Sequence, residues 1–304
     1  MSYGNKVLTL NPPYVRGYTS HWETFKDTND TSGIYHLVFE DMGTTLSICI
    51  YRINPNTHSI QCTSNETSES LTNLYQSKAK EGNVTCISSA GYFNMVDPGY
   101  YDSICPQKNY KNNGENDSAF VKDHHLDSWN CKSCRPIFTI TDDMCCEILP
   151  EGCTDATGYA QLANTYQFAF GGGPLLVKDG KNMCSDIHGS GKLKDLQLTG
   201  KTVSEHFKHD NKWYEWGNAK TTRMAIGYTD PSQAIYLIYA NECTLYDFAS
   251  GICALNIQQA MNLDGGDSAG MISDTQKQNE NNFSSRIGKY YRPLKTYISV
   301  HNKN

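Results

Sequence analysis

The apolar runs of this chain are short, and this feature constrains its fold more than any other. The longest uninterrupted run, residues 234–240, has the length of one β-strand. A membrane-spanning helix needs about 20 apolar residues, so the sequence predicts no membrane span. Other short runs are rich in β-branched and aromatic residues, which favours strands. These runs are residues 34–39, 46–51, 84–90, 137–140, 167–170, 175–177, 225–228, 234–239 and 297–300.

Two segments have the sequence signals of a helix. Thr202 and Glu205 form a capping box, because the hydroxyl and the carboxylate can each accept from the other's backbone amide. The second helix begins near Thr244, and apolar residues recur after it at three- and four-residue spacing. We expect it to run to about Gln259 and to lead into a short strand at residues 260–263. The pattern predicts an α+β fold of mixed, mostly antiparallel β-sheets with a few packed helices.

The charge balance excludes some classes of function. The 304 residues contain 26 Lys and Arg against 32 Asp and Glu, which gives a net charge of −6. Basic residues form no run, so no nucleic-acid partner and no anionic membrane surface is indicated. The glycine-rich residues 171–173 precede a strand, and they fit neither a Walker loop nor a dinucleotide loop. The sequence therefore predicts no cofactor.

Cysteines and glycosylation sequons favour a secretory protein. The chain has 12 cysteines, and a chain of this length does not need cross-links to form a core. Sequons begin at Asn29, Asn65, Asn83, Asn116 and Asn282. We predict disulfide bonds, N-glycosylation and a location outside the cell or in the lumen of the secretory or lysosomal pathway. The first residues lack the apolar stretch of a signal peptide, so either the numbering is that of a processed or recombinant start, or this interpretation is wrong.

Residues 97–165 differ from the rest of the chain. They are rich in Asn, Asp, Tyr and Cys and have few periodic runs. We interpret them as a disulfide-rich insertion in a single domain that spans residues 1–304. Cys131 and Cys134 could belong to a zinc site, but no second C-x-x-C follows, so disulfides are favoured and no metal is predicted. The sequence leaves the oligomeric state undetermined, and a homo-oligomer stays one of the alternatives.

Residues 262–271, NLDGGDSAGM, contain two competing signals. Gly266 to Gly270 match the G-x-S-x-G pattern of a nucleophile elbow, with Ser268 as the nucleophile. An elbow needs a following helix and a downstream acid and His, and too few residues remain to supply them. The alternative is that Asp264, followed by two glycines at a tight turn, is the important residue.

Three further stretches put glycine or polar groups at strand ends. They are residues 91–94, which end in Asn94, residues 171–177, which include Gly172 and Gly173, and residues 222–227, which include Arg223. Taken in order with Asn262 and Asp264, these stretches resemble the phosphodiester glycosidase family. The resemblance covers about residues 85–300. Asp267 departs from it, because many members have Gly at this position.

The resemblance implies hydrolysis of a sugar 1-phosphodiester or a related glycoconjugate to free sugar and phosphomonoester. It implies that Asp264 directs water or stabilises the anomeric carbon and that Arg223 clamps the phosphate. Asp267, the departure from the family, adds a second carboxylate beside Asp264 and is the third candidate catalytic residue. The remaining candidates are substrate-binding groups, namely Asn94, Gly172, Gly173, Asn262, Gly265, Gly266 and Ser268. One alternative stays open at this point: a non-catalytic extracellular structural or assembly protein that retains the fold.

Overall fold

The structure is a computed structural model. It describes residues 19–23, 33–41, 44–80, 82–91, 111–112, 115–116, 136–141, 143, 145–149, 165–166, 168–184, 197–198, 201–202, 217, 219–229, 234–273, 286–288 and 292–303. The strands in chain order are β1 (Thr19–Glu23), β2 (Gly33–Asp41), β3 (Thr44–Ile53), β4 (His58–Glu69), β5 (Val84–Ser89), β6 (Lys111–Asn112), β7 (Glu115–Asn116), β8 (Ile137–Ile140), β9 (Cys146–Leu149), β10 (Phe168–Gly171), β11 (Leu175–Lys178), β12 (Lys181–Asn182), β13 (Gln197–Leu198), β14 (Lys201–Thr202), β15 (Thr221–Tyr228), β16 (Ile235–Cys243), β17 (Gln259–Asn262), β18 (Gly270–Ser273), β19 (Arg286–Gly288) and β20 (Leu294–Asn302).

Two large antiparallel sheets carry most of these strands. One has eight strands in the order β1-β2-β3-β16-β15-β17-β11-β12. The other has five strands in the order β19-β18-β5-β20-β4. A third sheet, β10-β8-β9, and two short hairpins complete the described strands. The prediction of mostly antiparallel sheets is therefore confirmed.

One continuous hydrophobic core joins the three larger sheets. It includes Ile48 and Leu237 of the eight-stranded sheet, Phe138 of the three-stranded sheet and Ile298 of the five-stranded sheet, all completely buried. The rings of Phe138 and Phe170 lie 5.8 Å apart. Strands β8 and β9, which fall within the predicted irregular insertion, thus contribute buried side chains to the core.

In the described part of the chain, two helices pack on the sheets. The first, α1 (Leu71–Lys80), covers the five-stranded sheet with Leu71 and Leu74 and was not predicted. The second, α2 (Leu245–Ala254), begins where it was predicted, and the Thr244 hydroxyl accepts from the Asp247 amide at 3.1 Å. It ends before Gln259, because Asn256 takes a left-handed conformation with φ +60°. Thr202 lies in β14, and the rest of the helix predicted after it lies outside the described residues.

The predicted disulfides are not found in the described part of the chain, which contains no disulfide bond among its cysteines. Instead, the thiols of Cys86, Cys184, Cys243 and Cys253 are buried in the core, where they pack as small apolar side chains. The remaining predicted partners, Cys105, Cys131, Cys134 and Cys153, lie outside the described residues. No helix in the described ranges is both long enough and apolar enough to cross a bilayer.

Candidate functional site

The chain leaves β17 at Asn262 and passes between the two large sheets. The Leu263 amide donates to the Met224 carbonyl of β15 at 2.8 Å. The next amide, that of Asp264, donates to the Ala90 carbonyl at the end of β5 at 2.9 Å. Asp264 therefore sits where the eight-stranded and five-stranded sheets meet. Gly172, Arg223 and Arg292 pack against the segment from Asn262 to Ser268. We call this segment together with these three residues the Asp264 corner.

The glycine-rich residues after β10 pack directly against this corner. The Gly173 amide donates to the Asn262 carbonyl at 2.6 Å, and the Asn262 amide donates to the Pro174 carbonyl at 2.9 Å. A Cβ at Gly172 would stand only 2.5 Å from the Asn262 carbonyl oxygen. Only a residue without a side chain allows the two backbones to approach this closely. Glycine at position 172 is thus explained by backbone packing.

The two glycines that follow Asp264 have different requirements. A Cβ at Gly265 would lie 2.8 Å from the Thr222 carbonyl oxygen, so this position needs glycine for space. Gly266 has φ +60°, which favours glycine for conformational reasons, although a Cβ there would have room. The Thr222 hydroxyl donates to the Gly266 carbonyl, and residues Gly266–Ser268 then form one short 3-10 turn. These contacts fix the corner against the first residues of β15.

The buried part of the corner is its floor, which we define as Gly172, Arg223, Asn262 and Gly265. The Arg223 side chain is completely buried. Its Nη2 donates to the Ala219 carbonyl at 2.7 Å, and its Nε donates to the Cys243 carbonyl at 3.3 Å. A buried guanidinium needs such acceptors, because an uncompensated buried charge is strongly destabilising. These two bonds hold the Arg223 charge beneath the corner.

Asn262 is also completely buried, and its side chain stabilises the turn. Its Nδ2 donates to the Leu263 carbonyl at 2.6 Å and to the Gly173 carbonyl at 3.3 Å. Asn262 thereby bonds to the glycine-rich segment at residues 172–174 through both backbone and side chain. A direct contact of Asn262 with substrate stays a prediction, while its bonds to backbone carbonyls show how the corner keeps its shape.

The partly exposed part of the corner is its rim, which we define as Asp264, Asp267 and Arg292. Asp264 is half-buried, and the side chains of Arg292 and Asp267 are 36% and 57% exposed. The Arg292 amide donates to the Asp267 carbonyl at 3.3 Å. The Arg292 Nη2 lies 3.8 Å from the Asp267 Oδ2. The rim therefore combines two carboxylates with one accessible guanidinium.

The structure gives Ser268 no partner typical of a hydrolytic serine. Ser268 ends a 3-10 turn of three residues that leads into β18, whereas a nucleophile elbow leads into a helix. Its Oγ is buried and has no hydrogen-bond partner among the residues that the structure describes. The nearest histidine in sequence after it, His301, bonds to Ser299 at 2.8 Å on β20. These observations favour Asp264 over Ser268 as the important residue of the stretch.

The amides of the four predicted glycines are used in two ways. Those of Gly172 and Gly173 donate to protein carbonyls, of Pro136 at 3.1 Å and of Asn262 at 2.6 Å. Within the described part of the chain, the amides of Gly265 and Gly266 donate to no protein acceptor. The first pair is thus committed to holding the backbone together, whereas the second pair has no acceptor among the described residues.

Buried thiols lie beneath the floor. Burial raises the pKa of Cys184 to about 12, and the positive charge of Arg223 acts in the opposite direction. Burial also raises the pKa of Cys243 to about 12, again against the effect of Arg223. These effects place the charge of Arg223 close to both thiols. Among the described residues, no cluster of three His, Cys, Asp or Glu side chains could hold a metal ion.

The structure therefore brings together the backbones of three predicted stretches, residues 171–177, 222–227 and 262–268. Of the fourth stretch, residues 91–94, it describes only Gly91, which lies next to them. The Thr296 hydroxyl donates to the Gly91 carbonyl at 2.7 Å, which attaches β20 to the same strand end. Asn94 lies outside the described residues. Sequence reasoning missed Arg292; its signal was a basic residue directly before the last strand, next to Pro293.

In this arrangement, glycine-rich strand ends surround a carboxylate. The model of the family described as phosphodiester glycosidase matches residues 83–301. The chain belongs to the phosphodiester glycosidase family.

Two solved structures share the fold at low sequence identity. The first is the catalytic domain of zebrafish N-acetylglucosamine-1-phosphodiester alpha-N-acetylglucosaminidase, auto-inhibited by its pro-peptide. It has a TM-score of 0.57 and 14% identity over 94% of this chain and 89% of its own. The second is a hypothetical protein from Synechocystis, with a TM-score of 0.54 and 12% identity over 89% of this chain and 62% of its own. No curated protein sequence matches the chain significantly. At these identities the two structures support the fold alone.

Proposed function

We propose that this protein is a hydrolase that cleaves a sugar 1-phosphodiester of the N-acetylglucosamine-1-phosphate type. The bond between the anomeric carbon and the phosphate oxygen breaks, and a water hydroxyl joins the anomeric carbon. The products are free sugar and a phosphomonoester. Asp264 directs the attacking water and accepts its proton, as carboxylates do in other glycoside hydrolases.

The observation that carries this proposal is the position of Asp264. Its amide bonds to the end of β5, its neighbours Asn262 and Gly265 pack against the glycine-rich stretch and β15, and its side chain remains half-buried at the surface. A carboxylate on a backbone fixed from several sides is pre-organised, and its partial exposure makes it accessible from solvent. Family membership supplies the reaction class.

The leaving group explains why positive charge matters more than an acid here. A phosphomonoester leaves as a stable anion and needs less protonation than a sugar alkoxide. In the proposal, the amides of Gly265 and Gly266, which have no acceptor among the described residues, contact phosphate oxygens. Consecutive amides at such a turn favour anions. Arg223 contributes its buried charge from beneath the corner. The second carboxylate, Asp267, stays a candidate catalytic residue because it lies on the rim near Asp264 in the chain.

Hydrolysis in ¹⁸O-labelled water tests the proposal. The purified chain is incubated with UDP-N-acetylglucosamine and a panel of other sugar 1-phosphodiesters, and the products are analysed by mass spectrometry. We expect the label in the free sugar and none in the phosphomonoester. Label in the phosphate would identify a phosphodiesterase instead, and the absence of any product from the folded protein would reject the proposal.

A second candidate is a non-catalytic extracellular structural or assembly protein that retains the fold. One observation favours it: Arg223, predicted to clamp the phosphate, is completely buried, and two of its nitrogen donors bond to backbone carbonyls. This candidate predicts that the folded protein turns over no member of the substrate panel. The two candidates therefore separate in the same assay.

A secretory location and N-glycosylation are also part of the proposal. Among the sequons, Asn83 supports it best, because this residue is exposed at a turn with φ +66° before β5. Expression in a eukaryotic secretory host followed by removal of N-glycans tests this point. We expect a loss of mass that the Asn83→Gln variant reduces, and an unchanged mass would reject glycosylation.

A further inference from the structure

Two arginines belong to the Asp264 corner, and only one of them is accessible. Arg223 has no exposed surface, and its Nε and Nη2 are bonded to carbonyl oxygens. Arg292 is 36% exposed, and within the described ranges its guanidinium contacts one carboxylate, that of Asp267. A substrate phosphate approaching from solvent therefore meets Arg292 before any other described guanidinium of the corner.

The contact that holds Arg292 is easily exchanged. Its Nη2 lies 3.8 Å from the Asp267 Oδ2, which is beyond hydrogen-bond distance. Ion pairs between such exposed side chains contribute little net stability, because both charges stay hydrated. A phosphate offers the guanidinium two oxygens at hydrogen-bond distance, which is a stronger interaction. Exchange of the Asp267 carboxylate for a phosphate group at the Arg292 guanidinium is thus favourable.

The backbone fixes Arg292 at the corner even when its side chain moves. Its amide donates to the Asp267 carbonyl at 3.3 Å, and Pro293 and the first residue of β20 follow directly. The backbone of Arg292 therefore stays next to that of Asp267 when the side-chain contact is exchanged.

We propose that Arg292 is the specificity-determining residue for the phosphate group of the substrate, and that Asp267 occupies its guanidinium when no phosphate is bound. This inference rests on the proposed function and names the group that recognises the anionic half of the substrate. Arg292 binds the phosphate, while Asp264 acts at the sugar. Asp267 is the internal competitor, so its negative charge weakens phosphate binding.

Binding of inorganic phosphate tests the inference without requiring turnover. Isothermal titration is performed with the wild-type protein and the variants Arg292→Met, Arg292→Lys and Asp267→Asn. Arg52→Met is the matched control, since Arg52 on β3 pairs with Tyr236, at the end of the sheet away from the corner. We expect at least tenfold weaker binding for Arg292→Met, an intermediate loss for Arg292→Lys, and two- to fivefold tighter binding for Asp267→Asn.

Equal phosphate affinity of the wild type and Arg292→Met would overturn the proposal, as would a wild type that binds no phosphate. Weaker binding by Asp267→Asn would overturn the competitor role of Asp267. Activity is measured separately on a sugar 1-phosphodiester and on a neutral aryl glycoside of the same sugar. We expect Arg292→Met to raise KM at least tenfold for the phosphodiester alone.

The two measurements separate failure of this inference from failure of the proposed function. If phosphate binding depends on Arg292 but no sugar phosphodiester is hydrolysed, the proposed function fails and the anion site stands. If hydrolysis occurs with an unchanged KM for Arg292→Met, the reaction stands and the role of Arg292 is rejected.

Discussion

The floor and the rim of the Asp264 corner use the same kinds of polar group in opposite ways. In the floor, Arg223 and Asn262 are completely buried and donate to backbone carbonyls. On the rim, Asp267 and Arg292 are partly exposed and contact each other at 3.8 Å. A guanidinium in the floor is thus bound by the fold, whereas one on the rim is accessible to a ligand.

The comparison teaches that stability and function can be separated within one turn of chain. A buried polar group without its partner destabilises the fold by its full desolvation free energy. An exposed charge loses little when its partner is removed, because water replaces it. Substitutions in the floor should therefore unfold the protein, and substitutions on the rim should change binding or turnover while the fold persists.

The largest effect is expected on the rim, at Asp264. We predict that Asp264→Asn lowers kcat by about a thousandfold, which corresponds to about 4 kcal/mol of activation free energy. Stability should hardly change, because Asn keeps the backbone amide that bonds to the Ala90 carbonyl. The measurements are steady-state turnover and denaturant unfolding. Asp143→Asn, on the exposed turn after β8, is the control. Near wild-type turnover of Asp264→Asn would remove Asp264 from the mechanism.

The next effect is expected in the floor, at Gly172. The added methyl of Gly172→Ala would lie 2.5 Å from the Asn262 carbonyl oxygen, so two backbone segments would have to separate. We predict a loss of about 3 kcal/mol in the free energy of unfolding, at the upper end of typical overpacking penalties. Urea denaturation followed by circular dichroism measures it. A variant as stable as the wild type would show that the floor adapts, and the distinction from the rim would then weaken.

Two thiols of the core, those of Cys184 and Cys253, give a pH-dependent prediction. Burial raises the pKa of Cys184 and of Cys253 to about 12, from an ordinary value of 9.0. Below pH 9 both the folded and unfolded states keep the proton. Above it the unfolded chain loses the proton first, so stability falls as pH rises from about 9 towards 12. The expected slope is about 1.4 kcal/mol per pH unit for each thiol.

Unfolding in urea between pH 8.5 and 10.5 measures this slope. Cys184→Ala should reduce it by one thiol's share, and Cys253→Ala should do the same. If both variants keep the wild-type slope, these thiols ionise in the folded protein as readily as in the unfolded chain, and the floor is more accessible than its burial indicates.

Features coded by neighbouring residues could be predicted from the sequence. The start of α2 follows from Thr244 and Asp247, which lie within one turn of each other. The tight turn of the Asp264 corner follows from its glycines, because Gly265 has no room for a Cβ and Gly266 has a left-handed φ. By contrast, β4 was missed because its second half, with Asn65 and Glu66, is polar. Local propensity underestimates a strand whose stability comes from pairing with β20.

The contact between Arg292 and Asp267 could not be predicted for a related reason. The two residues are separated in the chain by β18, β19 and a polar segment, and they meet because β18 and β20 both pair with β5. Sheet order of this kind depends on non-local pairing. The burial of Arg223 was equally hidden, because an arginine at the start of an apolar strand has the same local sequence whether it faces solvent or the protein interior.

The smallest effect is expected at Gly266, which lies in the chain between the rim residues Asp264 and Asp267. It can be compared with Gly172, a glycine of the floor. A Cβ at this position would have the Thr221 hydroxyl as its nearest neighbour at 3.8 Å, so space is available. The remaining penalty is the left-handed φ of +60°, which disfavours alanine by about 1 kcal/mol. We predict that Gly266→Ala loses about a third as much stability as Gly172→Ala. Gly266→Asn should lose less than alanine, because Asn tolerates this conformation. Both changes keep the amide of residue 266, so phosphate affinity should stay within a few-fold of wild type. If Gly266→Ala proves as destabilising as Gly172→Ala, the corner is crowded on both sides, and the open rim that Arg292 requires would not exist.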